Sequence, residues 1–317
     1  MISYKNLNKT LLNLSSKEPI YICGHMRPDQ DSVGSCIALA EFLNINGKNA
    51  KVLLNKKDYD VIAWLNDTSL LTDNIPEKDY VFIALDTNEK KRLGEFEKLF
   101  DNAKYTINID HHQNNLNEAC CTFSKPGASS TCELIYNILT ANGKTKLNNT
   151  IYSCLYSGMM ADTNCFTRRL GNKTLCIAQK LINNGADYIN IIKKAFSSRS
   201  MYEFKALAKL VNELQFDGFH YAVVDKTKEE FCKLTHNQLV KAIAEDLRKI
   251  DGIDVFLLIM KDTETIGAKV MSNISENADK IAEMFGGGGH KKEAGFTTKD
   301  ITVEYIINKT KEFLNLK

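Results

Sequence analysis

His25, Asp29 and Asp31 stand together in the run G-H-M-R-P-D-Q-D-S-V-G-S, directly after a short apolar segment. Asp86 ends a second apolar run in IALDTNE, while Asp110, His111 and His112 end a third in INIDHHQN. Asp162 closes a helical stretch in SGMMADTN. Taken singly, an Asp after a strand is most often a helix cap, and a single His is most often a hydrogen-bonded core or surface group. Chance has more trouble placing all of them after successive apolar runs. Carboxylates and imidazoles meeting in one crevice repel unless cations neutralise them. Two divalent ions would match the four negative charges of Asp29, Asp31, Asp86 and Asp162. Mixed His/Asp ligation suits Mn, Co, Fe or Zn better than Mg or Ca, which prefer all-oxygen shells. Two such ions roughly 3.5–4 Å apart can activate water and clamp the oxygens of a phosphoryl group.

The elements that must position these residues read as α/β. PIYICG (19–24), AKVLLN (50–55), YVFIALD (80–86) and YTINID (105–110) are short, β-branched and bounded by polar turns, the pattern of buried strands. Helical patterns alternate with them; SVGSCIALAEFLNING is expected to be amphipathic and to stop at Asn46-Gly47. Strand and helix in alternation predict a parallel sheet covered on both faces, with all three clusters at its carboxyl edge. Asp162 must fold back to reach that edge. From about 129 to 214 the pattern is helical; strands then return at 219–225, 254–261 and 264–272, followed by a helix to Phe285 and the run Gly286–Gly289. The expected division is a catalytic domain over 1–185, a helical connector over 186–214 and a smaller α/β domain over 215–317, with the active site in the cleft between the domains.

At 317 residues the chain is long enough for two domains. With 41 Lys+Arg against 39 Asp+Glu, its net charge of +2 excludes a binder held by bulk phosphate neutralisation. Residues 215–317 carry a net −2 and the remainder +4, so the second domain is a poor clamp for long nucleic acid. An apolar fraction of 44% with 25% charged residues fits a folded globular chain, and no apolar run is long enough for a membrane span. The N-terminus lacks a signal-peptide pattern, which makes the cytoplasm the expected location. The nine cysteines, an odd count without a CxxC pair, are expected to be free thiols mostly buried in apolar runs.

HMRPDQDS, ALDT, DHH and GMMADT, with GGGGHKKEAG far downstream, resemble the DHH superfamily of phosphoesterases with a C-terminal DHH-associated domain. Within it, length and domain order resemble the bifunctional oligoribonuclease and pAp phosphatase branch. The resemblance spans about residues 20 to 297, and five motifs in order make it specific. It implies that His25 and Asp29 bind one metal, that Asp31 and His111 bind the other, that Asp86 bridges them and that Asp162 completes the second site. It implies further that His112 faces the scissile phosphate, and that Asp110 fixes the tautomer of a ligating imidazole. Gly287, Gly288, Gly289 and His290 would hold the far end of a short substrate, acting as a ruler.

Arginine usage points the same way. Only Arg27, Arg92, Arg168, Arg169, Arg199 and Arg248 are Arg among 41 basic residues. Arg27 lies inside the first motif and Arg199 in the connector, where guanidinium suits bidentate phosphate contacts. Two departures from the family pattern concern substrate identity. Asn164 replaces a Gly that usually follows Asp-Thr, and Met271 stands where relatives carry Arg, leaving Lys269 and Lys291 as replacement cations and Met271→Arg as a change expected to tighten phosphate binding.

The resulting expectation is a manganese-dependent hydrolase, with two divalent ions as cofactors, acting on short oligoribonucleotides (nanoRNA) to give 5′-mononucleotides and on pAp to give AMP. The main alternative is a phosphodiesterase for linear or cyclic dinucleotides such as pApA. A pyrophosphatase would not carry the GGGGH segment, and a RecJ-type exonuclease lacks support from an OB-like domain or a basic stripe. A non-catalytic nucleotide-binding module would be favoured by a lost ligand, and all six ligand positions are filled. No membrane partner is expected, and a homodimer remains open.

Overall fold

The computed structural model describes residues 2–74, 78–112, 118–143, 147–196, 200–234 and 250–316. Two compact units emerge, Met1–Ser198 and Arg199–Lys317.

Six strands form the sheet of the first unit: β1 (Pro19–Cys23), β2 (Asn49–Leu53), β3 (Leu71–Thr72), β4 (Val81–Leu85), β5 (Tyr105–Asp110) and β6 (Cys121–Ser124). They are all parallel, in the order β3-β2-β1-β4-β5-β6. The short β3 and β6 carry too little apolar pattern to stand out in the sequence. Alternation along each strand splits the core between two faces. On β4, Val81, Ile83 and Leu85 join the main core, whereas Phe82 and Ala84 join a smaller cluster with Phe96 and Phe100. The strand order reverses between β1 and β4, the switch point at which open α/β sheets leave a crevice beyond their carboxyl ends. His25 and Asp86 follow those two strands.

Helices α1 (Tyr4–Leu12), α2 (Gln30–Ile45), α3 (Glu97–Asn102), α4 (Thr131–Thr140), α5 (Asn149–Asp162), α6 (Thr174–Asn183) and α7 (Tyr188–Ile191) complete the unit. Helix α2 ends as expected, with Asn46 as cap and Gly47 at φ 75°. Its expected amphipathicity is corrected: twelve of its sixteen residues are buried. It is enclosed by the sheet and by α4 and α5, and a helix enclosed on all sides needs no polar face. Glycines make this nesting possible. A Cβ on Gly34 would lie 2.6 Å from the Cys154 carbonyl oxygen, and one on Gly158 would lie 2.3 Å from Cys132 Sγ and 2.9 Å from Asp31 Cα.

In the second unit β7 (Gln215–Phe216), β8 (His220–Asp225), β9 (Val255–Lys261), β10 (Ile266–Ser272), β11 (Gly288–His290) and β12 (Glu293–Thr298) form a sheet in the order β11-β12-β10-β9-β8-β7. Only β8 and β9 pair in parallel. The stretch 186–214 is not one connector. Helix α8 (Met201–Asn212) packs Ala206 and Leu210 into the second unit's core with Ala222 and Val224. The end of the glycine run and His290 form the edge strand β11. Backbone approach by β12 excludes a side chain at Gly287 (2.2 Å from the Gly295 carbonyl oxygen) and at Gly289 (2.6 Å from Ala294 Cα), while Gly288 meets nothing within 4 Å.

None of the nine cysteines is in a disulfide, but only Cys23, Cys36, Cys132 and Cys154 are buried; Cys120, Cys165, Cys176 and Cys232 are exposed, on loops and helix faces that short apolar runs do not reveal. Among the described residues no helix is long and apolar enough to cross a membrane.

Gly158→Ala is expected to force α5 away from α2. Overpacking of this kind typically costs about 1–3 kcal/mol, and α5 carries Asp162. Urea melts should show the loss, with a drop in turnover larger than unfolding explains; a variant with wild-type stability and turnover would contradict the packing argument.

Candidate active site

The turn between β1 and α2 performs two tasks. Asp29 caps α2, its Oδ1 accepting from the backbone N–H of Asp31 (3.0 Å) and Ser32 (2.9 Å), while its side chain stays half open to solvent. Asp31, one step inside the helix, is fully buried. The first turn of α4 meets it: the Thr131 N–H donates to Oδ2 (2.7 Å) and the Cys132 N–H to Oδ1 (2.8 Å). A helix N-terminus favours the charge it meets there. Burial and the charges of Asp86 and Asp162 nevertheless push the Asp31 carboxyl well above the usual range.

Asp86 follows β4 in the left-handed region, φ 56°. Its N–H donates to the Ile109 carbonyl (3.0 Å), and the buried Asn108 amide donates to the carbonyls of Ala84 (3.3 Å) and Thr87 (2.9 Å) on either side. Thr131 Oγ1 donates to Asp86 Oδ1 at 3.0 Å. The two carboxylate oxygens then face different partners. Oδ2 lies 3.5 Å from His25 Nε2, and Oδ1 lies 3.6 Å from His111 Nε2.

His111 and His112 follow β5. His111 Nε2 lies 3.0 Å from Asp162 Oδ2, so the end of α5 does fold back to the sheet's carboxyl edge. Asp110 does not support His111, as the resemblance implied. Its Oδ1 accepts from the His112 backbone N–H (3.2 Å) and meets His112 Nδ1 at 2.7 Å. A local turn explains this: Asp110 ends β5, and its carboxylate accepts from the N–H two residues on, which brings it to His112 rather than His111. His111 Nδ1 instead faces the Ala128 carbonyl at 3.4 Å, and His25 Nδ1 faces the Met26 carbonyl at 2.9 Å. With Nδ1–H engaged by a carbonyl, each of these two rings turns Nε2 toward the carboxylates, where the neutral ring offers a lone pair to a cation.

Three groups of donors come within 4.8 Å of one another: His25, Asp29 and Asp86; Asp31, His111 and Asp162; and Asp86, His111 and His112. The first two fit a pair of divalent cations in donor type, tautomer and charge, and Asp86 contacts both. Without such cations the cluster draws protons. Burial alone would lower the His25 ring, but Asp86 and Asp29 outweigh it and push it up to about 9. Burial opposes His111 in the same way, yet Asp162, Asp31 and Asp86 push it up to about 10. Burial would raise Asp86, but the neighbouring histidines hold it below the usual carboxylate range.

Residues 19–159 match the DHH family, N-terminal domain, and residues 219–316 match the DHHA1 domain. The chain belongs to the DHH family, with an N-terminal DHH domain followed by a DHHA1 domain. It is 27% identical over 312 residues to the cyclic-di-AMP phosphodiesterase PdeA of Listeria monocytogenes, covering 92% of this chain but only 46% of that protein. The chain thus spans about half the length of that relative. It is 25% identical over 301 residues to the probable bifunctional oligoribonuclease and PAP phosphatase NrnA of Streptococcus mutans, covering 90% of this chain and 92% of that protein. An exopolyphosphatase-related protein from Bacteroides fragilis shares the fold, with a TM-score of 0.86 at 21% identity over 98% of this chain and 95% of that one.

The departures from the DHH pattern now have local explanations. Asn164 has φ 48°, the left-handed conformation that glycine adopts freely and that Asn tolerates best among other residues. Cys165 and Phe166 continue it at φ 57° and 61°, a strained turn separated from Asp162 by Thr163 alone. Met271 is 1% exposed in the second unit's core. An arginine there would bury a guanidinium, which overturns the expectation that Met271→Arg tightens phosphate binding. Lys269 is already paired with Glu293 at 2.6 Å. Arg27 is exposed at φ 53°, His290 is exposed in the second unit, and Arg199 lies outside the described residues.

Sequence reasoning missed Thr131 and Asn108. The S-S-T-C-E run signals a helix start, and nothing in it shows that the helix meets two distant carboxylates. Thr131→Val should free Asp86 to rotate and reduce turnover by roughly 10- to 100-fold, while Thr131→Ser keeps the donor and most of the rate. Equal rates for wild type and Thr131→Val would remove Thr131 from this role.

Proposed function

We propose that the chain is a two-metal phosphoesterase for short nucleotide substrates, with His25, Asp29 and Asp86 holding one ion and Asp31, His111 and Asp162 holding the other. The observation that carries this reading is the Asp86 carboxylate, one oxygen of which faces each histidine. Mn²⁺ suits the mixed nitrogen and oxygen donors best. When bound, such a pair supplies Lewis acidity toward the phosphoryl oxygens and an activated water.

The chain's own residues do the rest. Asp86 is held in one pose by Thr131 and Asn108, so the site needs little rearrangement during reaction. His112 gives Nδ1–H to Asp110, which leaves Nε2 for the scissile phosphate. In its charged form that ring places a proton at Nε2 beside the leaving oxygen. Arg27 meets substrate phosphate at the rim, and Gly287, Gly288, Gly289 and His290 are the second unit's own candidates for substrate contact. A cytoplasmic location fits nucleotide substrates of this size.

Within that class we favour very short oligoribonucleotides cleaved to 5′-mononucleotides, with pAp as a second substrate. The match to NrnA over almost the whole of both chains supports this. The likeness to PdeA, at slightly higher identity, supports linear or cyclic dinucleotides as a second reading.

A panel of pAp, pApA, cyclic di-AMP, a ribopentanucleotide and pyrophosphate, each with Mn²⁺, Mg²⁺ or excess EDTA, tests the proposal. Turnover of pAp and the pentanucleotide is expected with Mn²⁺, less with Mg²⁺ and none in EDTA. Full turnover in EDTA after dialysis would contradict the metal account, and hydrolysis of pyrophosphate alone would contradict the nucleotide account.

A further inference from the structure

The second proposed metal site draws its ligands from three segments: Asp31 from α2, His111 from the end of β5 and Asp162 from the end of α5. Behind them stands a carboxylate that the reaction does not use. Glu133 lies in the first turn of α4 and is buried, 6% exposed. Among the described residues it joins no ion pair. A carboxylate kept that deep without a cation is costly unless hydrogen bonds offset the burial.

The spacing from Ser130 to Glu133 is that of a capping box, in which the glutamate turns back to the Ser130 N–H. Glu133 Oε2 reaches further. It accepts from the Ser129 hydroxyl at 2.6 Å, from the Ser129 N–H at 3.4 Å and from the Thr174 hydroxyl at 2.6 Å. Thr174 begins α6, and its Oγ1 accepts in turn from the Gly171 N–H at 2.9 Å. The two segments tied in this way serve different ligands. Ala128, next to Ser129, presents its carbonyl to His111 Nδ1 at 3.4 Å. Residues 163–173 run from Asp162 to Thr174 and contain the left-handed turn Asn164–Phe166, whose strain must be held by its surroundings. Asp31 meets the same turn of α4 through the N–H groups of Thr131 and Cys132. The two loops also touch directly: a Cβ on Gly171 would lie 3.2 Å from the Gly127 carbonyl oxygen.

We propose that Glu133 is a positioning residue for the second metal site, its one oxygen Oε2 holding both the loop that orients His111 and the loop that follows Asp162. The inference rests on the two-metal reading above and adds to it a residue outside the ligand set. With Oε2 in place, the Ala128 carbonyl stays aimed at His111 Nδ1, and Asp162 Oδ2 stays 3.0 Å from His111 Nε2. Removing the acceptor leaves the buried Ser129 and Thr174 hydroxyls without it, and both loops must move to satisfy them. The geometry at one ion then loosens, while His25 and Asp29 keep their own supports at the other.

The test titrates apo wild type, Glu133→Gln, Glu133→Leu and Thr174→Val with Mn²⁺, the free ion being followed by electron paramagnetic resonance. Glu133→Gln keeps an acceptor oxygen of the same reach and should bind both ions within about threefold of wild type. Glu133→Leu should weaken one of the two ions by about 10- to 100-fold, the usual effect of removing a partner behind a ligand, and the other far less. Thr174→Val matches threonine in shape and cuts only the tie to α6. It should weaken the same ion in the same direction, and it decides the matter if Glu133→Leu does not fold. Unchanged affinities in Thr174→Val, or equal weakening of both ions, would overturn the inference. So would a Glu133→Gln variant as weak as Glu133→Leu, because charge and not the hydrogen bonds would then be at work. A wild-type chain that binds fewer than two ions would instead remove the two-metal reading itself.

Discussion

Repulsion among four carboxylates is the constraint around which the first unit is organised. Asp31 and Asp86 are buried, Asp162 is nearly so, and Asp29 alone reaches solvent freely. A folded chain can hold such a group only with strong compensation. Part comes from the protein itself: the N-terminal N–H groups of α4 meet Asp31, and the hydroxyl of Thr131 meets Asp86. The remainder must come from protons or cations, and the histidines, raised to about 9 and 10, show how strongly the site draws positive charge. A cluster of this kind favours stability less than it favours binding of divalent ions.

The packing around the cluster follows from the same need. Helix α5 has to deliver Asp162 to the sheet edge while lying against α2, which carries Asp31 in its first turn. The bare faces of Gly34 and Gly158 permit that approach. Beyond Asp162 the chain turns through three consecutive left-handed residues, at a cost of about 1–2 kcal/mol each for residues other than glycine. Asp86 has a left-handed backbone as well, clamped by Asn108. Strain collects on both sides of the site, where the surrounding fold can hold it.

Much of this was legible from residue types and order. The four long strands, the placement of the acidic and histidine clusters at their carboxyl ends, and the need for Asp162 to return there all followed from periodicity. Other features depended on contacts between segments distant in sequence. Asp110 was assigned to the wrong imidazole, because only the turn after β5 decides whether it meets His111 or His112. Met271 reads as a lost cation in an alignment of motifs, but its side chain belongs to the core. Close approach by β12 accounts for Gly287 and Gly289, a contact that a run of glycines does not reveal. The role of Thr131 was invisible, since its partners Asp31 and Asp86 lie far away along the chain.

The central claim is that Asp86 serves two metal sites at once, and metal stoichiometry tests it most directly. Titration of the apo protein with Mn²⁺, followed by calorimetry or by the electron paramagnetic resonance of the free ion, should give two ions bound per wild-type chain. Asp86→Ala, checked by circular dichroism for an intact fold, should bind fewer than two at the same concentration and retain no more than a few per cent of turnover. Two ions bound by Asp86→Ala with wild-type affinity would contradict the account, because the carboxylate would then be shared by neither site.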